Sequence, residues 1–179
     1  LFNLDPAAHL AVKHSHPRWM VARWIERFGE ESAVSICETN NRIPSVVARV
    51  TARAPGLDEV LASLRSQGIE GGALEGGTSS VLLRTGDLRK LEALVKGWVQ
   101  IQDPTATEIG ATLRPPAGAR VLDLCAAPGK KAVQLLEAVG EGGFLVACDV
   151  EEEKTAKLEE NLRRAGDSFE VRRIPSEPE

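Results

Sequence analysis

The sequence predicts an α/β protein with an α+β accessory part, and three observations predict it. Helical periodicity dominates residues 5–41. A β-α-β-β-α-β alternation runs from Pro44 to Pro104. A strand, small-residue turn, helix, strand and closing acid then occupy Val121 to Asp149. The expected organisation is a helical lead-in over 1–43, a ferredoxin-like accessory domain over 44–104, and the first half of a Rossmann-like nucleotide-binding domain over 105–179. At 179 residues the chain has the length of one large domain or two small ones, given about 150 residues per domain.

The lead-in holds three helix signals. Asp5 followed by Pro6 supplies a capping acceptor and a ring pre-set for the first turn, so a short helix runs to Lys13. Ser15 to Pro17 is a second start. Beyond it Met20, Trp24 and Phe28 recur every four residues, with Val21 and Ile25 beside them, which makes one apolar helix face ending at Gly29. Arg23 and Arg27 form a basic row on another face. A solvated face is the plain explanation, and phosphate contact with RNA is the alternative. A third helix spans Glu30 to Glu38, and Asn40-Asn41 stop it.

In the second segment Val46 to Ala52 is β-rich. Leu57, Val60, Leu61 and Leu64 have helical spacing up to Gln67, and Gly68 caps them. Ile69 to Leu74 and Ser80 to Arg84 are strands around a Gly76-Gly77 turn. Asp87 caps a helix with apolar face Leu88, Leu91, Leu94 and Val95. Trp98 to Gln102 is the last strand. RNA-recognition domains share this split βαβ topology. Their aromatic stacking motif is missing, because no Phe or Tyr lies on the expected strands, so base stacking on this sheet is not expected.

Thr105 to Leu113 reads as a helix with Ala106, Ile109, Gly110 and Leu113 on one side, and Pro115-Pro116 with Gly118 break the chain after it. Val121, Leu122 and Leu124 form a strand containing Asp123. Cys125, Ala126, Ala127, Pro128 and Gly129 make a turn of mostly small residues, and Lys130 and Lys131 follow. Val133 to Val139 is helical, Glu141-Gly142-Gly143 turn the chain, and Phe144 to Cys148 is a strand closed by Asp149. Glu151 to Arg164 is a charged amphipathic helix with Leu158 and Leu162 inward. Phe169 to Ile174 is a third strand, and Pro175 to Pro178 form an acidic, proline-rich end of disordered composition.

Each part of the Val121–Asp149 unit has a chemical reason. Small side chains let the backbone approach a ligand. A following helix N-terminus offers unpaired N–H groups. Asp149, at the end of the second strand, can accept hydrogen bonds from ribose hydroxyls. A phosphate loop of the G-x-x-x-x-G-K-[ST] kind is excluded, since Leu124 and Lys131 occupy its first and last positions. The dinucleotide pattern G-x-G-x-x-G is also absent, which counts against a nicotinamide-dependent oxidoreductase. S-adenosylmethionine suits the pattern better: it has no phosphate, and its ammonium group needs polar or acidic neighbours.

The remaining composition narrows the class. Hydrophobic residues are 42% and charged residues 27%, as in globular proteins. No apolar run reaches the ~18 residues of a membrane helix, so no membrane partner is expected. Net charge is −4 and the pI about 5.5, so the whole-chain balance gives nucleic-acid binding no support and leaves only a local patch to provide it. Cys37, Cys125 and Cys148 lack C-x-x-C spacing, and free thiols fit a reducing cytoplasm. Cys37 and Cys148 read as small core side chains. His14 and His16 read as helix-end contacts, since no ligand set for a metal surrounds them. The only methionine is Met20, so Leu1 is not an intact translation start and the chain is expected to be a fragment or processed product.

Asp-Leu-Cys-Ala-Ala-Pro-Gly, Asp123 to Gly129, resembles motif I of the RNA cytosine-C5 methyltransferases, the NOL/NOP/Sun family. Val99-Gln100-Ile101-Gln102-Asp103 is similar to the family's Val-x-Val-Gln-Asp entry to this domain. His16-Pro17-Arg18-Trp19, Asn40-Asn41, Pro44 and Arg49-Val50 resemble the lead-in of the bacterial 16S ribosomal RNA enzymes. The resemblance covers His14 to about Gly166. It implies an RNA-recognition-like domain over Pro44 to Gln102, then the first half of a class I methyltransferase domain. It also implies S-adenosyl-L-methionine as cofactor, small-subunit ribosomal RNA as partner, and methyl transfer to C5 of cytosine. Cys125, Ala126, Ala127, Pro128, Gly129, Lys130 and Lys131 would line the cofactor, with Lys131 as the motif lysine, and Asp149 would hold the ribose.

The family's chemistry uses two cysteines, in a Thr-Cys and an Asp-Ala-Pro-Cys string. Neither string occurs in these 179 residues. No catalytic residue is therefore assigned, and Cys125 belongs to the cofactor loop. The chain by itself is expected to be inactive, a cofactor-binding or RNA-binding portion. Lys130 departs from the family's usual Gly-Gly-Lys-Thr. Were a positive φ required there, it would cost about 1 kcal/mol, and a second lysine near a sulfonium is unhelpful. A parallel half-sheet is also expected to leave apolar faces and edges open, which favours self-association.

Overall fold

A computed structural model describes residues 5–74, 79–84 and 88–175. The chain forms two compact units, Leu1–Pro44 and Ser45–Glu179. The Gly76-Gly77 turn, the Asp87 cap and residues 176–178 of the acidic end lie outside the described residues.

The first unit is three helices: α1 (Pro6–His14), α2 (Arg18–Phe28) and α3 (Glu30–Asn40). Asp5 caps α1 by accepting from the Ala8 N–H at 2.8 Å, and this bond holds the carboxyl below the usual carboxylate range, with Arg18 adding to it. Leu10, Ala11, Val21 and Cys37 form the small core, with Trp24 and Ile25 against it. The expected face of α2 is narrower than its spacing suggests. Phe28 is 57% exposed, because it closes the helix at Gly29, where the chain turns away. Arg23 and Arg27 are exposed. The His14 carbonyl accepts from the Asn41 amide at 2.9 Å and contacts the His16 ring nitrogen at 2.7 Å, which ties the two helix ends. Burial raises the Cys37 thiol pKa.

The second unit begins with β1 (Val46–Val50), α4 (Leu57–Ser66), β2 (Gly71–Ala73) and β3 (Ser80–Leu83). A 3₁₀ turn (Leu88–Lys90), α5 (Glu92–Val95) and β4 (Val99–Ile101) follow. The strands make one antiparallel sheet in the order β2-β3-β1-β4. This is the split arrangement expected, in which each helix connects strands that have another strand between them. Period-two alternation sends Ala48 into a core with Val60, Leu64, Val81 and Leu91. Arg49 lies on the opposite face of the sheet.

The helix expected over Leu88 to Val95 is broken. Leu91 adopts an extended conformation (φ −61°, ψ 113°) between the 3₁₀ turn and α5. The break buries Leu91 and Ala93 completely and leaves Val95 78% exposed, so core filling outweighs helix continuity.

Then come α6 (Pro104–Leu113), β5 (Arg120–Asp123), α7 (Lys130–Val139), β6 (Phe144–Asp149), α8 (Glu152–Arg163) and β7 (Phe169–Arg173). Asp103 caps α6 through the Thr105 N–H at 2.8 Å. Strands β5, β6 and β7 form a parallel sheet in that order. Its core joins Val133, Leu136 and Val139 of α7 to Leu145 and Ala147 of β6 and to Leu158 and Leu162 of α8. The side expected of α6 is only partly the buried one: Gly110 is buried and Ala106 half-buried as expected, but Ile109 and Leu113 are exposed and Thr107 is buried in their place. Gly110 leaves room for the Gln134 amide: a Cβ would lie 2.3 Å from its Oε1, so a larger residue would displace that side chain.

Candidate cofactor site and its support

The site forms where β5 and β6 end. Asp123 ends β5 opposite Ala147, and Asp149 ends β6 two positions further along; the loop between β5 and α7 bonds to both. The Asp123 Oδ1 accepts from the Cys125 N–H at 3.2 Å. The Asp149 Oδ2 accepts from the Ala127 N–H at 3.0 Å, and its Oδ1 accepts from the Val150 N–H at 2.9 Å. The Ala126 N–H donates to the Cys148 carbonyl at 2.9 Å. Asp149 is 7% exposed. The bond from Ala127 holds its carboxyl below the usual range, and the Val150 bond and Lys154 reinforce this. An acid held towards its ionised form therefore sits at the C-terminal end of β6, beneath the loop that leads into α7.

Gly129 makes the turn into α7 at φ +102°, a conformation that side chains rarely adopt. It is also close-packed: a Cβ would lie 2.9 Å from the Leu158 Cδ1. Lys130 is not in that conformation. It is the first residue of α7, so the backbone strain considered for it falls on Gly129 instead. The Ala127–Pro128 peptide is cis. Ala126 and Gly129 are buried, Ala127 is half-buried, and Cys125, Pro128, Lys130 and Lys131 are exposed. The residues from 125 to 131 thus form a rim of mixed exposure that leads from the end of β5 into α7 and is tied to Asp149 through Ala127. Cys37 and Cys148 are buried away from solvent.

Two supports were not visible in the sequence. The Asn161 side chain of α8 donates to the Pro128 carbonyl at 2.7 Å and pins the loop from behind. A buried polar network joins the antiparallel sheet to α7. The Arg49 Nη1 meets the Glu137 Oε2 at 2.6 Å, with both side chains at most 10% exposed. Arg49 also donates to Gln102 and Gln100. Gln102 donates to the Gln134 Oε1 at 3.0 Å, and Gln134 donates to the Thr107 carbonyl at 2.9 Å. The sheet face that carries Arg49 is therefore engaged with α7 around Arg49 and Gln102. Among the described residues no cluster of three His, Cys, Asp or Glu side chains is arranged to hold a metal.

Two family models match. The ferredoxin-like domain of RsmF/B-like methyltransferases matches residues 16–87, and 16S rRNA methyltransferase RsmB/F matches residues 110–174. The chain belongs to the RsmB/F methyltransferase family. The ribosomal RNA small subunit methyltransferase B of Klebsiella pneumoniae is 34% identical over 161 residues, which is 89% of this chain and 37% of that protein. That of Pseudomonas putida is 36% identical over 154 residues, 86% of this chain and 35% of that protein. The chain thus spans about a third of the length of the curated RsmB-type relatives it matches. A methyltransferase homolog protein from Pyrococcus horikoshii has the same fold, with a TM-score of 0.83 at 20% identity over 97% of this chain and 58% of that one. NSun6 from Pyrococcus horikoshii, solved with SFG, gives 0.78 at 13% identity over 88% and 65%. The resemblance carried by Asp123 to Gly129 thus leads to the same family as these matches.

Proposed function

We propose that this RsmB/F chain is the cofactor-binding and RNA-recognition portion of an S-adenosyl-L-methionine-dependent methyltransferase. Its acceptor is C5 of cytosine in small-subunit ribosomal RNA, and it works in the cytoplasm. The observation that carries the proposal is the Asp149 carboxylate held ionised by the Ala127 and Val150 amides beneath the 125–131 rim. An acid in that place accepts from ribose hydroxyls, and the α7 N-terminus beside it orients polar groups of the amino-acid end. Cys125, Ala126, Ala127, Pro128, Gly129, Lys130 and Lys131 line the cofactor in this account. Residues 44–104 are its RNA-recognition-like part and residues 105–179 carry the incomplete methyltransferase part, after a helical lead-in over 1–43.

Two findings about relatives support the proposal. They are named ribosomal RNA small subunit methyltransferase B, and a structural neighbour was solved with SFG, an analogue of the proposed cofactor. Bound S-adenosylmethionine supplies an electrophilic methyl group. This chain's own residues hold and orient it. The cysteine strings that the NOL/NOP/Sun resemblance requires for addition to the base are absent from these residues, so binding without turnover is the expected behaviour. Equilibrium dialysis with tritiated S-adenosylmethionine should show saturable binding, while incubation with unmodified small-subunit RNA yields no 5-methylcytosine. Saturable NAD binding in place of S-adenosylmethionine binding would overturn the proposal.

A further inference from the structure

Beside the edge of β4, the second unit contains a cleft of about 370 Å³ walled by α7 and α8. Its rim carries four cations, Arg53, Lys130, Lys157 and Arg164, and its apolar lining includes Val99 and Val133. The one carboxylate lining it, Glu137, is already neutralised by Arg49 at 2.6 Å. Arg53 donates to the Arg164 carbonyl, which fixes one end of the rim. Arg164 is paired with Glu160 on the exposed side of α8. Lys130 and Lys157 form no ion pair among the described residues. A concentration of positive charge over apolar walls is notable in a chain whose net charge is −4.

Lys130 supplies the decisive detail. In the sequence it stood as an unhelpful cation beside a sulfonium. In the structure it lines this cleft as the first residue of α7. Pro128 also lines the cleft while belonging to the cofactor loop, and Asn161 of the cleft wall donates to its carbonyl. The cleft therefore backs directly onto the loop that carries the proposed methyl donor.

We propose that this cleft binds one segment of a single-stranded RNA backbone, with Lys130 and Lys157 meeting phosphates and the apolar lining receiving the sugar or base edge. The proposal rests on the RNA substrate assigned above and adds where the strand lies. Several features favour RNA over an acidic peptide. The cations are spread around a nucleotide-sized volume, no aromatic side chain is required when Arg53 offers a planar guanidinium, and flexible lysines suit phosphate as point charges.

The test uses the whole chain and a fluorescein-labelled single-stranded RNA of about eight nucleotides, a length within the usual site size. Anisotropy titrations at rising salt should show binding with a negative log–log slope. The double variant Lys130→Gln/Lys157→Gln should bind about tenfold more weakly at low salt, with the slope reduced by roughly one to two. Lys90→Gln, outside the cleft, should change neither. Lys157→Gln alone should weaken RNA binding and leave S-adenosylmethionine affinity unchanged. Wild-type binding that the double variant retains in full overturns the cleft and leaves the methyltransferase assignment standing. Absence of RNA binding by a wild-type chain that still binds S-adenosylmethionine overturns the cleft together with RNA as this portion's substrate. Competition by cytidine monophosphate equal to that of unlabelled octamer would make the cleft a free-nucleotide site and also overturn the proposal.

Discussion

The two sheets of the second unit solve the same packing problem differently. The antiparallel sheet has helices over one face, around Ala48, Val60 and Leu64, and engages α7 on the other through Arg49 and Gln102. In the parallel sheet β5 is an edge strand, paired with β6 alone among the described residues, and Leu122 and Leu124 at that edge are each 60% exposed. In the antiparallel sheet only β2 and β3 are joined by a short connection; the other strands are joined across α4 and α5, and those crossovers fill its core. A parallel sheet needs a crossover for every added strand and is normally covered on both faces. The 125–131 loop therefore lies next to the less covered sheet, and much of its support comes from outside that sheet, through Asn161 of α8 and, by way of α7, the Arg49–Glu137 pair.

The largest expected effect breaks that link. Glu137→Ala strands Arg49 as a buried, unpaired cation, and chemical denaturation should show a loss of about 3–5 kcal/mol. The double replacement Arg49→Met/Glu137→Leu should recover most of it. If Glu137→Ala costs no more than an exposed substitution, the two sheets are independent and the comparison fails.

Core truncations come next. Leu64→Ala in the antiparallel half and Leu158→Ala in the parallel half each remove a side chain at most 1% exposed, for about 2–5 kcal/mol. Cooperative unfolding predicts one shared transition for both variants by circular dichroism, and separate transitions would divide the unit at α6. Gly129→Ala should cost roughly 1–2 kcal/mol from its positive φ, with added strain against Leu158. Its loss of S-adenosylmethionine affinity should exceed its loss of stability.

Asp149 makes a smaller, pH-dependent contribution. Its carboxyl is held below its ordinary value, first by the Ala127 N–H. That stabilisation is complete above the ordinary carboxylate pKa of about 3.9 and disappears as pH falls through the lower folded value. Thermal melts of wild type and Asp149→Asn should differ at neutral pH and converge in acid. Divergence in acid would contradict the assignment. The smallest stability effect belongs to the open edge: Leu122→Thr should change stability by no more than about 0.5 kcal/mol, yet reduce self-association in sedimentation velocity if β5 is a sticky edge.

The comparison also explains what the sequence made legible. The element order and the place of the 125–131 loop against Asp149 followed from local signals: a β-rich run from Val46, small residues at 125–129, and an acid ending β6. The cap at Asp5 was equally local, whereas the cap at Asp103, with the same Asp-Pro pairing, was missed by starting α6 at Thr105. The break at Leu91 was hidden, because Leu88, Leu91, Leu94 and Val95 satisfy helical spacing while the core takes only some of them. The burial of Thr107 on α6 was hidden because Gln134, a partner from another helix, bonds its carbonyl, while Ile109 of the expected side stays exposed. Arg49 and Glu137 are 88 residues apart, and no local pattern pairs them. Asn161 looked like one more polar residue of a charged helix. Lys130 was visible as a departure, but its direction depended on Gly129 taking the positive φ.

The central claim is that Asp149 and the loop it grips form an S-adenosylmethionine site, and calorimetric titration of wild type and Asp149→Ala tests it most directly. The account predicts saturable binding by wild type and at least about tenfold weaker binding by the variant, whose far-ultraviolet spectrum stays folded, as expected for loss of a charge-assisted ribose contact. Equal affinity in the two chains, or no binding by a folded wild type, would contradict it.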